Sequence, residues 1–388
     1  MLETNEARIA AENNLLITLS PLDAEELTKH FLGSIHRSNS QLPSCDQKTV
    51  YLAGDFSRSM PLDLSAAKRV FVIDELSENV PVHSTWDSIR LGQVPLSVHG
   101  MGVLYPEFFD PEIDYFQRIQ TEHEFQSLTE STKPGVAHRT GIYLTPVTKL
   151  GEDLHFRLLR CSSNFSGPTE NFRATDSEIV ETLNSSADKV FQHHSPMNHV
   201  LAQIYHNRRD ELKKKETKAK IKAHADKTKD MPANGVMAFC TFYDRSEERE
   251  FAEKYLTKLH FRIKQKQPDK PWPNSFAVTL YPGSVFMMPL STNRYYTHET
   301  RPATAAVEKL PTRLGYVVRC SSTPAVHRDG QTYLKLTDQQ VPLGEPTQEG
   351  MVELRHLYAE ENRSESFIDY GNRFLFSMNK GDYQAPEV

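Results

Sequence analysis

Apolar positions along the first third of the chain change spacing often. Leu22, Leu27, Phe31 and Ile35 recur at helical spacing after Ser20-Pro21, which predicts a capped helix over 22–36. Val50-Tyr51-Leu52 and Val70-Phe71-Val72-Ile73 are short β-branched and aromatic runs and predict strands. A helix is expected from Pro111 to about Leu128, closed by the polar break Ser131-Thr132-Lys133-Pro134-Gly135. From Gly141 the texture turns strand-rich, with 141–145 and 155–160 as strands. A capping box at Thr175-Asp176-Ser177-Glu178 opens a helix carried on by Ile179, Leu183, Ala187 and Val190. Strands follow at 200–205, 236–243, 278–280 and 285–288. A charged helix is expected over 246–259, a Pro- and Lys-rich loop over 265–273, and a short helix over 352–358. The last dozen residues are expected to fray.

This order separates an irregular α+β region at 1–135 from a strand-rich core at 136–345 and a C-terminal extension at 346–388. Of the 388 residues, 38% are hydrophobic and 25% charged, which suits a chain with a sizeable buried core. The net charge of −6 argues against a general affinity for nucleic acid. Cys45, Cys161, Cys240 and Cys320 lie far apart with no C-x-x-C pair, so free thiols in a reducing compartment are expected. The N-terminus has no basic-then-apolar leader and no segment reaches membrane-spanning length, so a cytoplasmic or nuclear location without membrane contact is expected.

Chemistry concentrates in two short stretches. His224 and Asp226 are two apart, so on an extended strand both side chains face one way. With His298 they form the donor set of a 2-His-1-carboxylate facial triad, which holds one face of a non-haem Fe(II). Arg313 and Arg319 are six apart and share a strand face. A guanidinium is the natural fork for a carboxylate, so a dicarboxylate such as 2-oxoglutarate could be clamped beside the iron. A zinc hydrolase could use the same three ligands, but the arginine pair would then have no task. His193, His194, His199 and His206 cluster nearby without ligand spacing.

The ordered set His224-x-Asp226, Pro282-Gly283-Ser284, His298 and Arg313-x5-Arg319 resembles the Fe(II)/2-oxoglutarate-dependent oxygenases. The doubled arginine is most similar to their AlkB-like branch. That resemblance, over about 198–322, implies a double-stranded β-helix (jelly roll) core with flanking helices and an N-terminal α+β extension. It implies Fe(II), 2-oxoglutarate and O2 as cofactors, and oxidative hydroxylation or demethylation as the reaction. It also implies that Arg313 takes the distal carboxylate and Arg319 the metal-proximal end, with Tyr205 assisting. Gln203 stands where the AlkB-like pattern has Asn.

The substrate stays open between nucleic acid, a small molecule and a protein side chain. The basic run Arg208–Lys220 just before the ligands reads either as a solvated segment or as a guide for an anionic substrate. A metal hydrolase and a non-catalytic scaffold are the remaining alternatives. The repeated Cys-Ser-Ser trios at 161–163 and 320–322 carry no assigned role, and the oligomeric state is not legible.

Overall fold

The computed structural model describes the chain except residues 1–5, 21–23, 38–42, 59–61, 128–138, 161–165, 211–214, 248 and 338. Its centre is a nine-stranded sheet. The backbone of that sheet runs in the order Arg139–Thr145, His199–Tyr205, Arg313–Arg319, Val236–Tyr243, Val285–Pro289, Gly102–Tyr105 and Leu96–Val98. A four-stranded sheet lies against one face, in the order Ile221–His224, Tyr296–Arg301, Lys258–Ile263 and Ser275–Thr279.

Burial on both faces explains why Val236–Tyr243 reads as an unbroken apolar run. Met237 and Phe239 pack with Phe261, Phe276 and Tyr296 of the smaller sheet. Ala238, Cys240 and Phe242 pack the other way, against the helices Tyr115–Glu122 and Ala174–Val190. From His199 onward the chain passes back and forth between the two sheets, with 258–263 and 275–279 a consecutive pair in the smaller one. Strands 199–205, 236–243, 285–289 and 313–319 enter the larger one, and 221–224, 258–263, 275–279 and 296–301 the smaller one.

The first ninety residues build a separate sheet, all parallel, in the order Ser34–Arg37, Asn14–Thr18, Thr49–Asp55, Arg69–Glu78 and Trp86–Ile89. Apolar side chains cover both of its faces. The helix expected over 22–36 is two elements, a helix at Glu25–His30 and a strand at Ser34–Arg37, because Ile35 alternates beside Leu16 in the sheet. The Pro21 start of that helix and the polar break at 131–135 lie outside the described residues. Residues 96–105 leave this sheet and add two strands to the edge of the nine-stranded one.

Three other expectations change. Only Glu253–Tyr255 turns helically within 246–259, and Lys258–Ile263 is a strand. There Leu259 and Phe261 alternate into the core between the sheets, a period of two that the helical reading overrode. The helix at 111–128 is confined to Tyr115–Glu122, where the Asp114 side chain accepts from Gln117 N. The C-terminus does not fray. The helix Gln348–Arg363 is followed by buried Phe374, Phe376, Asn379 and Asp382, and Glu387 exchanges backbone hydrogen bonds with Thr169 and Asn171.

A buried ion cluster ties the two helices to the central sheet. His123 Nδ1 lies 2.7 Å from Glu170 and Nε2 lies 2.7 Å from Asp176. Asp176 also accepts from Arg173 N at 2.7 Å, so it, not Glu178, closes the helix cap. Its other oxygen accepts from Tyr316 Oη on the arginine-bearing strand. Burial alone would push the His123 imidazolium down, but Asp176 and Glu170 outweigh it and carry it up to about 9. A raised folded value means stability that is whole below about 6.5 and lost as pH rises through about 9, on the order of 3 kcal/mol. Thermal unfolding from pH 6 to 9.5 is expected to show this loss, and His123→Gln is expected to remove most of that slope. An identical pH dependence in both proteins would assign the loss to other groups.

Candidate metal and anion site

The two expected histidines meet across a strand pair. His224 ends its strand in direct register with His298, and their ring centroids lie 4.5 Å apart. Asp226 is not on the strand but in the loop beyond it. Its Oδ1 lies 3.3 Å from His224 Nε2 and 4.0 Å from His298 Nε2. One ligand atom from each of the three falls within 4.8 Å of the others, the geometry of a single shared ion. His224 Nδ1 donates to the Lys222 carbonyl at 2.9 Å, which leaves Nε2 as the free lone pair. Burial, and then His224, pushes the His298 imidazole down to about 3, so it is neutral and able to ligate. Burial would raise the Asp226 carboxyl, but Arg319 and the two imidazoles hold it well below the usual carboxylate range.

Arg313 and Arg319 occupy one face of their strand with Gly315 and Val317, and all four line one cavity of about 210 Å³ with the triad. Their places in it differ. Arg319 Nη2 forms an ion pair with Asp226 Oδ2 at 2.9 Å. Arg313 is 4% exposed, has no carboxylate at ion-pair distance among the described residues, and leaves Nε and Nη2 without hydrogen-bond partners. Its guanidinium lies 4.0 Å over the Tyr205 ring. A cation–π contact alone is worth about 2 kcal/mol when desolvated, far less than the hydration lost by a buried charge. The site therefore calls for an anion at Arg313.

Neighbours shape the place for it. Tyr205 donates its hydroxyl to Gln203 Oε1 at 3.2 Å, which gives Gln203 a role on the tyrosine. Gly315 sits beneath the guanidinium, where a Cβ would come 2.8 Å from Arg313 Nη1 and 3.2 Å from Tyr205. Thr241, which the sequence reading passed over, lines the same cavity with a buried hydroxyl that has no hydrogen-bond partner among the described residues. It is a polar residue in an otherwise apolar strand, in register with Gly315, and that break in pattern was the available signal. The three metal donors and the anion-seeking arginine fit Fe(II) and a carboxylate ligand.

Other candidates do not assemble. His194 pairs with Asp188, and His206 lies 3.2 Å from the Thr140 hydroxyl. His199 is buried, pushed down to about 3 by burial and Arg319. Among the described residues the only other group with metal-ligand spacing is Glu122, His123 and Asp176, and there both His123 nitrogens are taken by carboxylates. Lys227 also lines the cavity and bonds the carbonyls of Ala225 and Tyr358. The basic run forms a hairpin, Arg208–Asp210 with Lys215–Thr217, docked by Arg209 on Glu308 and by Lys218 on the carbonyls of Ala303 and Ala305. Lys213 and Lys214 lie outside the described residues, as does Cys161-Ser162-Ser163.

No helix among the described residues is long and apolar enough to cross a membrane. No family model and no curated protein matches this sequence. Among solved structures, the chain is similar to that of OsALKBH1 at 15% identity and a TM-score of 0.37, over 58% of this chain and 99% of that one. It is also similar to the non-heme alpha ketoglutarate dependent epimerase SnoN from nogalamycin biosynthesis, at 11% identity and a TM-score of 0.33, over 58% of this chain and 81% of that one. Both scores are too low to decide fold or chemistry, which rest on the site itself.

Proposed function

We propose that this chain is an Fe(II)- and 2-oxoglutarate-dependent oxygenase that hydroxylates or demethylates its substrate. The observation that carries the reading is Arg313, a buried guanidinium with no counter-ion among the described residues, in one cavity with His224, Asp226 and His298. The eight strands divided between two facing sheets, four in each, support a double-stranded β-helix core. The ion pair of Arg319 with Asp226 gives the second arginine a task and supports the AlkB-like reading.

When bound, Fe(II), 2-oxoglutarate and O2 supply oxidation of a C–H bond coupled to formation of succinate and CO2. The protein's share is positional. His224, Asp226 and His298 would hold the metal from one side. Arg313 would pair with the distal carboxylate of 2-oxoglutarate, with Tyr205 flat against the guanidinium and Gln203 fixing the tyrosine. Arg319 fixes the orientation of Asp226 and brings positive charge to the metal-proximal end. Thr241 adds one hydroxyl donor to the same wall.

A hydrolase built on the same ligands has no use for Arg313. The assay that separates the readings is succinate release from 2-oxoglutarate with Fe(II), run across methylated nucleic acid, peptides and small metabolites. Succinate that depends on both iron and Arg313 is the expected result. Its absence under every condition, with metal bound, would favour the hydrolase or scaffold. Nucleic acid is the substrate class that the basic hairpin favours, and small molecules and protein side chains are the competing arms of that assay.

A further inference from the structure

The strand that carries His224 ends there, so the next residues have no sheet ladder to hold them. Backbone N–H groups in a buried loop still need partners. Three of them are met by side chains from elsewhere. Asp226 is bracketed by Asn293, whose Oδ1 accepts from Asp226 N at 2.8 Å and whose Nδ2 donates to Asp226 O at 2.9 Å. The other two are met by the last turn of the C-terminal helix. Asn362 Oδ1 accepts from Ala225 N at 2.7 Å, and Glu361 Oε1 accepts from Thr228 N at 3.0 Å and from its hydroxyl.

That turn is itself fixed. Glu361 is 6% exposed and takes a second bond from Tyr370 Oη at 2.7 Å. Lys264 donates to the Glu361 carbonyl at 2.6 Å, and Lys227 to the Tyr358 carbonyl at 3.0 Å. Ala225, fully buried between the two metal ligands, is thus suspended from a helix more than one hundred residues further along the chain.

We infer that Asn362 and Glu361 are positioning residues of the metal site, and that the C-terminal helix sets the spacing between His224 and Asp226. The inference rests on the reading of the triad as a metal centre. Freed from Asn362, the Ala225 amide would be buried without a partner, and the loop would relax to find one. The two ligands would then lose their common focus, since backbone rotation at 225 swings Asp226 relative to His224.

The test is metal binding, not turnover. Apo protein titrated with Co(II) is followed by calorimetry and by the visible absorption of the bound ion. Asn362→Ala is expected to weaken Co(II) by about 10- to 100-fold, the range for partners that orient ligands, and to change the Co(II) spectrum. Asn362→Asp keeps an acceptor oxygen for Ala225 N and is expected to restore most of the affinity. Glu353→Ala, on the exposed side of the same helix, is the control for helix damage and is expected to bind Co(II) as wild type does. Wild-type affinity and spectrum in Asn362→Ala would overturn the inference while leaving the triad standing. Equal loss in Asn362→Asp and Glu353→Ala would reduce it to general destabilisation. Wild-type protein whose Co(II) binding ignores His298→Ala would remove the triad reading, and the inference with it.

Discussion

His224→Ala, Asp226→Ala and His298→Ala are each expected to abolish iron binding and to bring succinate formation down to the uncatalysed background. Two remaining donors do not enclose an ion, and no other described His, Cys, Asp or Glu belongs to the group. The three variants are expected to differ in stability. Asp226→Ala removes the ion pair that Arg319, a 6% exposed cation, makes at 2.9 Å, and breaking a buried pair costs about 3–5 kcal/mol. His298→Ala removes a neutral imidazole packed edge-on to Phe239, a loss nearer to that of an ordinary core truncation. His224 is half-exposed and is expected to cost least. Metal content after reconstitution, read beside thermal unfolding, checks both orders. Stoichiometric iron in any one variant would remove that residue from the set.

Arg313→Met is expected to raise the KM for 2-oxoglutarate by several hundred-fold or more. The loss of a buried charge partner, about 3–5 kcal/mol, corresponds to that factor at 1.4 kcal/mol per tenfold. The same substitution has the opposite sign in the absence of co-substrate. There the wild-type guanidinium is buried with no counter-ion among the described residues, so methionine is expected to leave the Tm unchanged or higher. Added 2-oxoglutarate is expected to raise the wild-type Tm by mass action and to leave Arg313→Met unmoved. Gly315→Ala should share part of the KM defect, because its Cβ would press on Arg313 Nη1. A wild-type KM in Arg313→Met would move the carboxylate to Arg319 or Arg139, the other arginines lining the cavity.

The His224/Asp226 pair and the arginine pair were legible from short spacing, whereas the fold brings the distant His298 beside them. A period of two puts Arg313, Gly315 and Arg319 on one face however the strand is placed. The apolar run Val236–Tyr243, broken only at Thr241, announced a strand, and the fold covers it on both sides. Helical spacing misled at 246–259, where leucines three apart matched a helix while the packing partners across the sheet favoured alternation.

Local pattern could not show that Arg319 binds Asp226 while Arg313 has no counter-ion among the described residues, since identical side chains six residues apart differ only in what the fold brings opposite. Nor could it show the two buried acids that lift His123, contributed by an edge strand and a helix start some fifty residues away. The C-terminal helix reads as an ordinary amphipathic segment, and its hold on Ala225 and Thr228 exists only once the chain has closed on itself. Sequence alone therefore determined the donor types and the strands of His224, His298 and the arginines, while Asp226, expected on the His224 strand, lies in the loop beyond it. The tertiary structure decided which charges are neutralised and which amides are satisfied, because long-range burial sets the cost of leaving either without a partner.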